Sequence, residues 1–301
     1  MRPVAHEPGG DAAGARFGSI GAAADALAEV GYAADETIAG VVFLADRLGK
    51  PVLVEGPAGT GKTQLAKSVA EMTGSRLIRL QCYEGLDESK ALYEWNYRKQ
   101  LLRIQADQSS ASWERLEEDI FSESFLLTRP LLEAIRADEP VLLLVDEVDR
   151  VELETEALLL EVLSEYQVSI PELGTVRATR VPLVFLTSNN TRELSEALKR
   201  RCLYLHVDYP ELGREREIVR RRVPGIGDEL ADQVARIVRS LRTLELRKPP
   251  SVAETLDWAR TLVVLGRTSV DAAGARDTLH VLLKYEQDIE RAKKELLAGG
   301  A

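Results

Sequence analysis

Three short apolar runs organise the chain: Val52-Leu53-Val54, Val141 to Val145, and Val181 to Leu186 with one proline near its start. Without polar alternation, such runs predict strands covered on both faces, as in a parallel sheet. Leu77–Leu80 supplies a further strand, and Leu203 to Val207 alternates. Between these runs the period changes to that of a helix. Ile38, Val41, Val42, Ala45 and Leu48 share one face that ends at Gly49, and Leu65, Val69 and Met72 recur until Gly74. Pro171-Glu172-Leu173-Gly174 reads as a hairpin turn between Gln167–Ile170 and Thr175–Thr179. After Asp208 the strand signal stops. Tyr209-Pro210 opens an all-helical region, with helices expected over 214–222, 228–244, 252–265 and 270–297. The pattern predicts an α/β domain over residues 17–208 and a helical domain over 209–301. Before them, residues 1–16, rich in Gly, Ala and Pro, read as a flexible tail.

Composition narrows the function classes. The 301 residues are 45 % hydrophobic, enough for packed cores, and carry a formal net charge of −10. That balance argues against a general nucleic-acid surface. Cys82, Cys202 and the three histidines have no metal-ligand spacing, so neither a zinc site nor a disulfide is expected. No run approaches a membrane span and no signal segment precedes the core, so a soluble, cytoplasmic protein is expected. Arg214, Arg216, Arg220, Arg221 and Arg222 are interleaved with Glu211, Glu215 and Glu217, the pattern of a solvated charged helix face.

The chemistry lies between the runs. Gly56-Pro57-Ala58-Gly59-Thr60-Gly61-Lys62-Thr63 is a complete G-x-x-x-x-G-K-T phosphate loop, followed by Gln64 on the expected helix. Glycines let backbone N–H groups close around polyphosphate, and the helix N-terminus adds its positive end. Lys62 is a point charge for the β- and γ-phosphates, and the Thr63 hydroxyl can sit on Mg²⁺. Asp146-Glu147 emerges at the carboxyl end of the second run, where ligands bind in open α/β sheets. Asp146 suits the Mg²⁺ shell and Glu147 a general base that polarises water. The third run ends in Thr187-Ser188-Asn189-Asn190. Asn189 there can bond the γ-phosphate or the attacking water, although Asn-Asn also makes an ordinary turn.

The order of these motifs, with Lys199-Arg200-Arg201-Cys202 before a last strand, resembles the AAA+ ATPase core. Asp146-Glu147-Val148-Asp149-Arg150 is similar to the D-E-[IV]-[ND]-R stretch of MoxR-type AAA+ proteins, as is the segment from Glu156 to Ile170. Thr187 to Leu198 resembles the subgroup related to CoxD, implicated in maturing molybdenum-containing carbon monoxide dehydrogenase. The resemblance implies a phosphate-loop core with a helical lid, binding ATP and Mg²⁺ and working as a homo-oligomeric ring, a hexamer in the main. It implies that Arg201, or failing it Arg200, reaches a neighbouring subunit's nucleotide as an arginine finger. Tyr32, in the pair Gly31-Tyr32, falls where such proteins often contact adenine. The implied partners are a client metalloenzyme and a protein with a von Willebrand factor A domain. Activation of nitric oxide reductase or rubisco is the neighbouring identity, and a nucleotide-gated binding switch with little turnover is the alternative of another class.

Two places depart from a plain core. The family's lid carries an S-P-R arginine, whereas this chain reads Pro249-Pro250-Ser251-Val252-Ala253-Glu254, a capping box without one. Arg247 or Lys248 would then take over phosphate sensing, or both are linker charges. In the family, residues of about 83–124 form an insert facing the central channel. Tyr93, Trp95 and Tyr97 alternate there, either to grip a client chain or to pack locally.

Overall fold

The computed structural model describes residues 16–106 and 113–298. Helices α1 (Ile20–Glu29) and α2 (Glu36–Leu48) precede β1 (Val52–Glu55) and α3 (Lys62–Met72). After β2 (Arg76–Gln81) comes the insert, with α4 (Glu88–Ala91), β3 (Tyr93–Trp95), α5 (Tyr97–Ala106), α6 (Trp113–Ile120) and β4 (Leu126–Thr128). Next follow α7 (Pro130–Arg136), β5 (Val141–Asp146) and α8 (Leu153–Glu165). The hairpin of β6 (Gln167–Ile170) and β7 (Gly174–Arg177) leads to β8 (Leu183–Ser188), α9 (Glu196–Arg201) and β9 (Leu203–His206). The remainder is helical: α10 (Leu212–Arg222), α11 (Asp228–Arg242), α12 (Val252–Val264), α13 (Ala272–Leu282) and α14 (Glu286–Ala298).

Five strands form one sheet in the order β2-β5-β8-β1-β9, with every pairing parallel. Period-two geometry divides the apolar runs between its faces. Leu142 and Leu144 of β5 pack with Val52, Val54 and Phe185 against α1, α2 and α3. Leu143 and Val145 pack with Ile78, Leu80, Val184 and Leu186 against α7, α8 and the insert. Burial on both faces is what the runs without alternation predict. The carboxyl ends of β1, β5 and β8 therefore converge on one edge. A third core holds the C-terminal helices together around Trp258, whose indole N–H donates to the Thr278 hydroxyl at 2.7 Å.

Three sequence expectations change. The helix expected over 270–297 is two, because Leu283 takes an extended backbone (φ −113°, ψ 141°) while its side chain stays buried. Asp288 on α14 then accepts the backbone N–H groups of Arg247 and Lys248, which ties the fold-back to the linker before α12. Helix α1 carries little sequence signal, since only Ala23 and Leu27 of its residues are fully buried. In the insert, β3 pairs antiparallel with β4, and the aromatics do not share an exposed face. Trp95 is buried edge-to-face against Phe121, Tyr93 packs on the same core, and Tyr97 stands on α5 at 61 % exposure. Local packing thus accounts for Tyr93 and Trp95. The tail expected over residues 1–16 lies, but for Arg16, outside the described residues.

Candidate nucleotide site

Between β1 and α3 the chain must turn sharply with its N–H groups facing inward, and two glycines make this possible. A Cβ on Gly56 would lie 2.0 Å from the Val207 carbonyl oxygen. Gly59 has φ +74°, and a Cβ there would lie 2.4 Å from Cβ of Ser251. The loop borders a cavity of about 480 Å³. Ala58, Gly59, Thr60, Gly61, Lys62, Thr63 and Gln64 line it, facing Tyr32, Asp146, Glu147 and Asn189. Gly56 and Pro57 form the base of the loop, where their carbonyls accept the Lys62 ammonium at 2.7 and 2.6 Å. Burial lowers the pKa of Lys62 from its ordinary value, against the opposing pull of Asp149, Asp146, Glu147 and Glu55.

The acidic side of the cavity is built at the strand ends. Asp146 Oδ1 accepts the Thr63 hydroxyl at 2.9 Å and the Thr187 hydroxyl at 2.5 Å. A hydroxyl and a carboxylate side by side are hard oxygen donors, a set that suits Mg²⁺. Glu147 sits in the left-handed region (φ 60°, ψ 49°), held there by its N–H bond to Thr187 at 2.9 Å. Its carboxylate pairs with Arg150 at 2.8 Å, accepts the Gln81 amide at 3.2 Å and lies 3.5 Å from the Asn189 amide. Burial pushes the Tyr32 hydroxyl up to about 12, and the neighbouring Arg214 pulls against that rise.

Some predicted residues lie elsewhere. Arg200 and Arg201 are exposed at the end of α9 and do not line the cavity. Arg201 bonds Ser164 and the Ala197 carbonyl. Lys248 is also outside it, because its ammonium is drawn to Glu254 of the capping box at 2.7 Å. Arg247 stacks on Tyr285. The cations that do line the cavity from the helical region are Arg214 and Arg222 on α10 and Arg260 on α12. Their signal was spacing: Arg214, Ile218 and Arg222 recur at i, i+4, i+8, and Ala253, Leu256 and Arg260 at i, i+3, i+7. The other three arginines of α10 do behave as a charged face, paired with Asp232, Asp228 and Glu217.

The model of the AAA domain, dynein-related subfamily, matches residues 51–202, just over half of the chain. The chain belongs to this family. The matched stretch of the AAA protein runs from the phosphate-loop strand past Arg201, so nucleotide binding comes with the family. Two uncharacterized proteins of Staphylococcus aureus, from strains USA300 and bovine RF122 / ET3-1, are each 26% identical to it over 224 residues. Those alignments cover 72% of this chain and 77% of the relatives. Among solved structures, a single-residue variant of Thermotoga maritima RuvB superposes with a TM-score of 0.50 at 18% identity. It covers 82% of this chain and 68% of that one, a likeness of fold. No helix among the described residues is long and apolar enough to cross a membrane.

Proposed function

We propose that this AAA protein hydrolyses ATP as a homo-oligomeric ring of the MoxR type and uses the cycle to remodel a client metalloenzyme. One observation carries the reading: Lys62, Thr63, Asp146, Glu147 and Asn189 border one cavity, while Arg201 stands outside it. In this reading the phosphate loop and Lys62 hold the triphosphate, and Thr63 with Asp146 holds Mg²⁺. A Mg²⁺ held by these two residues would supply charge neutralisation for the triphosphate. Glu147 accepts a proton from the attacking water, and Asn189 orients that water. Arg201 of an adjacent copy stabilises charge on the γ-phosphoryl group. Residues 17–208 act as the nucleotide domain and 209–301 as its lid. Contacts between them include Gly59, whose carbonyl accepts the Val252 amide at 3.0 Å, and Arg214, Arg221 and Arg222 of α10, which donate to Asp35, Ala28 and Gly31. Arg214, Arg222 and Arg260, rather than Lys248, are the lid cations that line the cavity.

The motif resemblance supports a carbon monoxide dehydrogenase-like molybdenum hydroxylase as client and a von Willebrand factor A domain protein as partner. Activation of another metalloenzyme or of rubisco is the neighbouring possibility. A second reading, the nucleotide-gated switch, draws on the ion pair with Arg150, which occupies Oε2 of the Glu147 carboxylate at 2.8 Å. Mixing variants separates the two. Lys62→Ala and Arg201→Ala subunits are each expected to be inactive, and their mixture to recover part of the ATP turnover at interfaces that combine both intact sites. A finger of this kind is worth ~10³-fold or more in rate. Arg201→Ala at wild-type turnover, or a mixture no better than its parts, contradicts the ring hydrolase.

A further inference from the structure

Asp146 is a carboxylate with no free lone pair. Its side chain is 3% exposed. Beyond the two hydroxyls on Oδ1, its Oδ2 accepts Nε and Nη2 of Arg79 on β2, at 3.0 and 2.5 Å. A carboxylate offers about four acceptor sites, and donors from α3, β8 and β2 fill them all. A divalent cation, or a water bound to one, therefore reaches Asp146 only if a donor leaves.

The donors are held unequally. Thr63 can keep its proton on Asp146 while its oxygen lone pairs turn to a cation. Thr187 is buried and fixed from the other side by the Glu147 amide. Arg79 is different: its side chain is 46% exposed, and its Nη2 already bonds a second acceptor, the Gln81 side-chain carbonyl. Water can solvate the guanidinium as it swings out, so leaving costs it least. It is also the one donor with a positive charge, which an arriving cation repels.

We propose that Arg79 is a resident counter-ion of Asp146, exchanged for the divalent cation when a nucleotide–metal complex enters the cavity. The inference rests on the nucleotide-site reading above. Arg79 is then a positioning residue that keeps the buried carboxylate paired and in its rotamer until metal arrives. The exchange also touches the other carboxylate, since Gln81 bonds Arg79 through its oxygen and Glu147 through its amide.

The test uses Mn²⁺ as a paramagnetic substitute for Mg²⁺ and saturating ADP, so that no turnover intervenes. Free Mn²⁺ is titrated by electron paramagnetic resonance with wild type, Arg79→Gln and Arg79→Lys. Removing the competing charge in Arg79→Gln is expected to tighten Mn²⁺ binding by roughly tenfold or more, most at low salt. Arg79→Lys, which keeps the charge, stays close to wild type. If Arg79 only orients Asp146, the Gln variant weakens Mn²⁺ roughly 10- to 100-fold, and that result, or no change, overturns the exchange. A wild type that holds ADP but no Mn²⁺–ADP overturns the site reading itself. A second measurement needs no variant. On adding Mg²⁺ to the ADP-bound protein, the Arg79 Nε–H is expected to exchange faster with solvent, and an unchanged rate overturns the proposal.

Discussion

Gly59 carries two constraints at once: a left-handed backbone, and an approach to Ser251 closer than any side chain permits. Gly59→Ala is expected to lose stability by about 1–3 kcal/mol and to weaken nucleotide binding, because the displaced loop loses the Val252 amide. Denaturant melts and a nucleotide titration measure both, and an unchanged titration would uncouple the loop from the helical region. At this scale the sequence was most legible where chemistry is contiguous. The phosphate loop, Asp146-Glu147 and Asn189 each sit at the end of an apolar run, and the parallel sheet brings those ends together. Arg79, Arg214 and Arg222 were less legible because each bonds a partner far along the chain, and the helical spacing of Arg214, Arg222 and Arg260 does not say what their face meets. Reading them requires knowing which face of α10 or α12 turns toward the cavity.

Elements tell a similar story through burial. Arg242 on α11 donates to both oxygens of Glu215 on α10, at 2.5 and 2.8 Å, and to the Pro250 carbonyl at 2.8 Å. Its guanidinium also stacks over Tyr209. Glu215 is fully buried, so Arg242→Ala would leave an uncompensated charge inside the helical region. That change is expected to cost about 3–5 kcal/mol, read by denaturation followed through Trp258 fluorescence. A loss below about 1 kcal/mol would mean that water reaches Glu215. In the insert, Trp95→Ala is expected to cost ~3–5 kcal/mol, and Tyr97→Ala to stay within ~0.5 kcal/mol. Equal effects on melting temperature would contradict the different environments of the two rings. Alternation along Tyr93, Trp95 and Tyr97 has the period of a strand, but β3 ends at Trp95 and Tyr97 begins α5. Where one period gives way to the other is set by the pairing with β4, which sequence spacing does not reveal.

For the whole molecule, alternating strands and helices followed by helices alone made the architecture legible, because a doubly covered sheet needs apolar runs in its central strands. The seating of the helical region on the phosphate loop was not, since it depends on one backbone bond from Val252 to Gly59 and on the close approach of Ser251. That seating completes the cavity with arginines that the phosphate loop and strand ends alone do not supply. The central claim is that the completed cavity binds ATP and that Glu147 turns it over. The most direct measurement compares ATP affinity and phosphate release in wild type and Glu147→Gln under identical conditions. ATP is expected to bind Glu147→Gln about as tightly as wild type, while phosphate release falls by roughly 10²- to 10⁴-fold. Unimpaired phosphate release by Glu147→Gln would contradict the account.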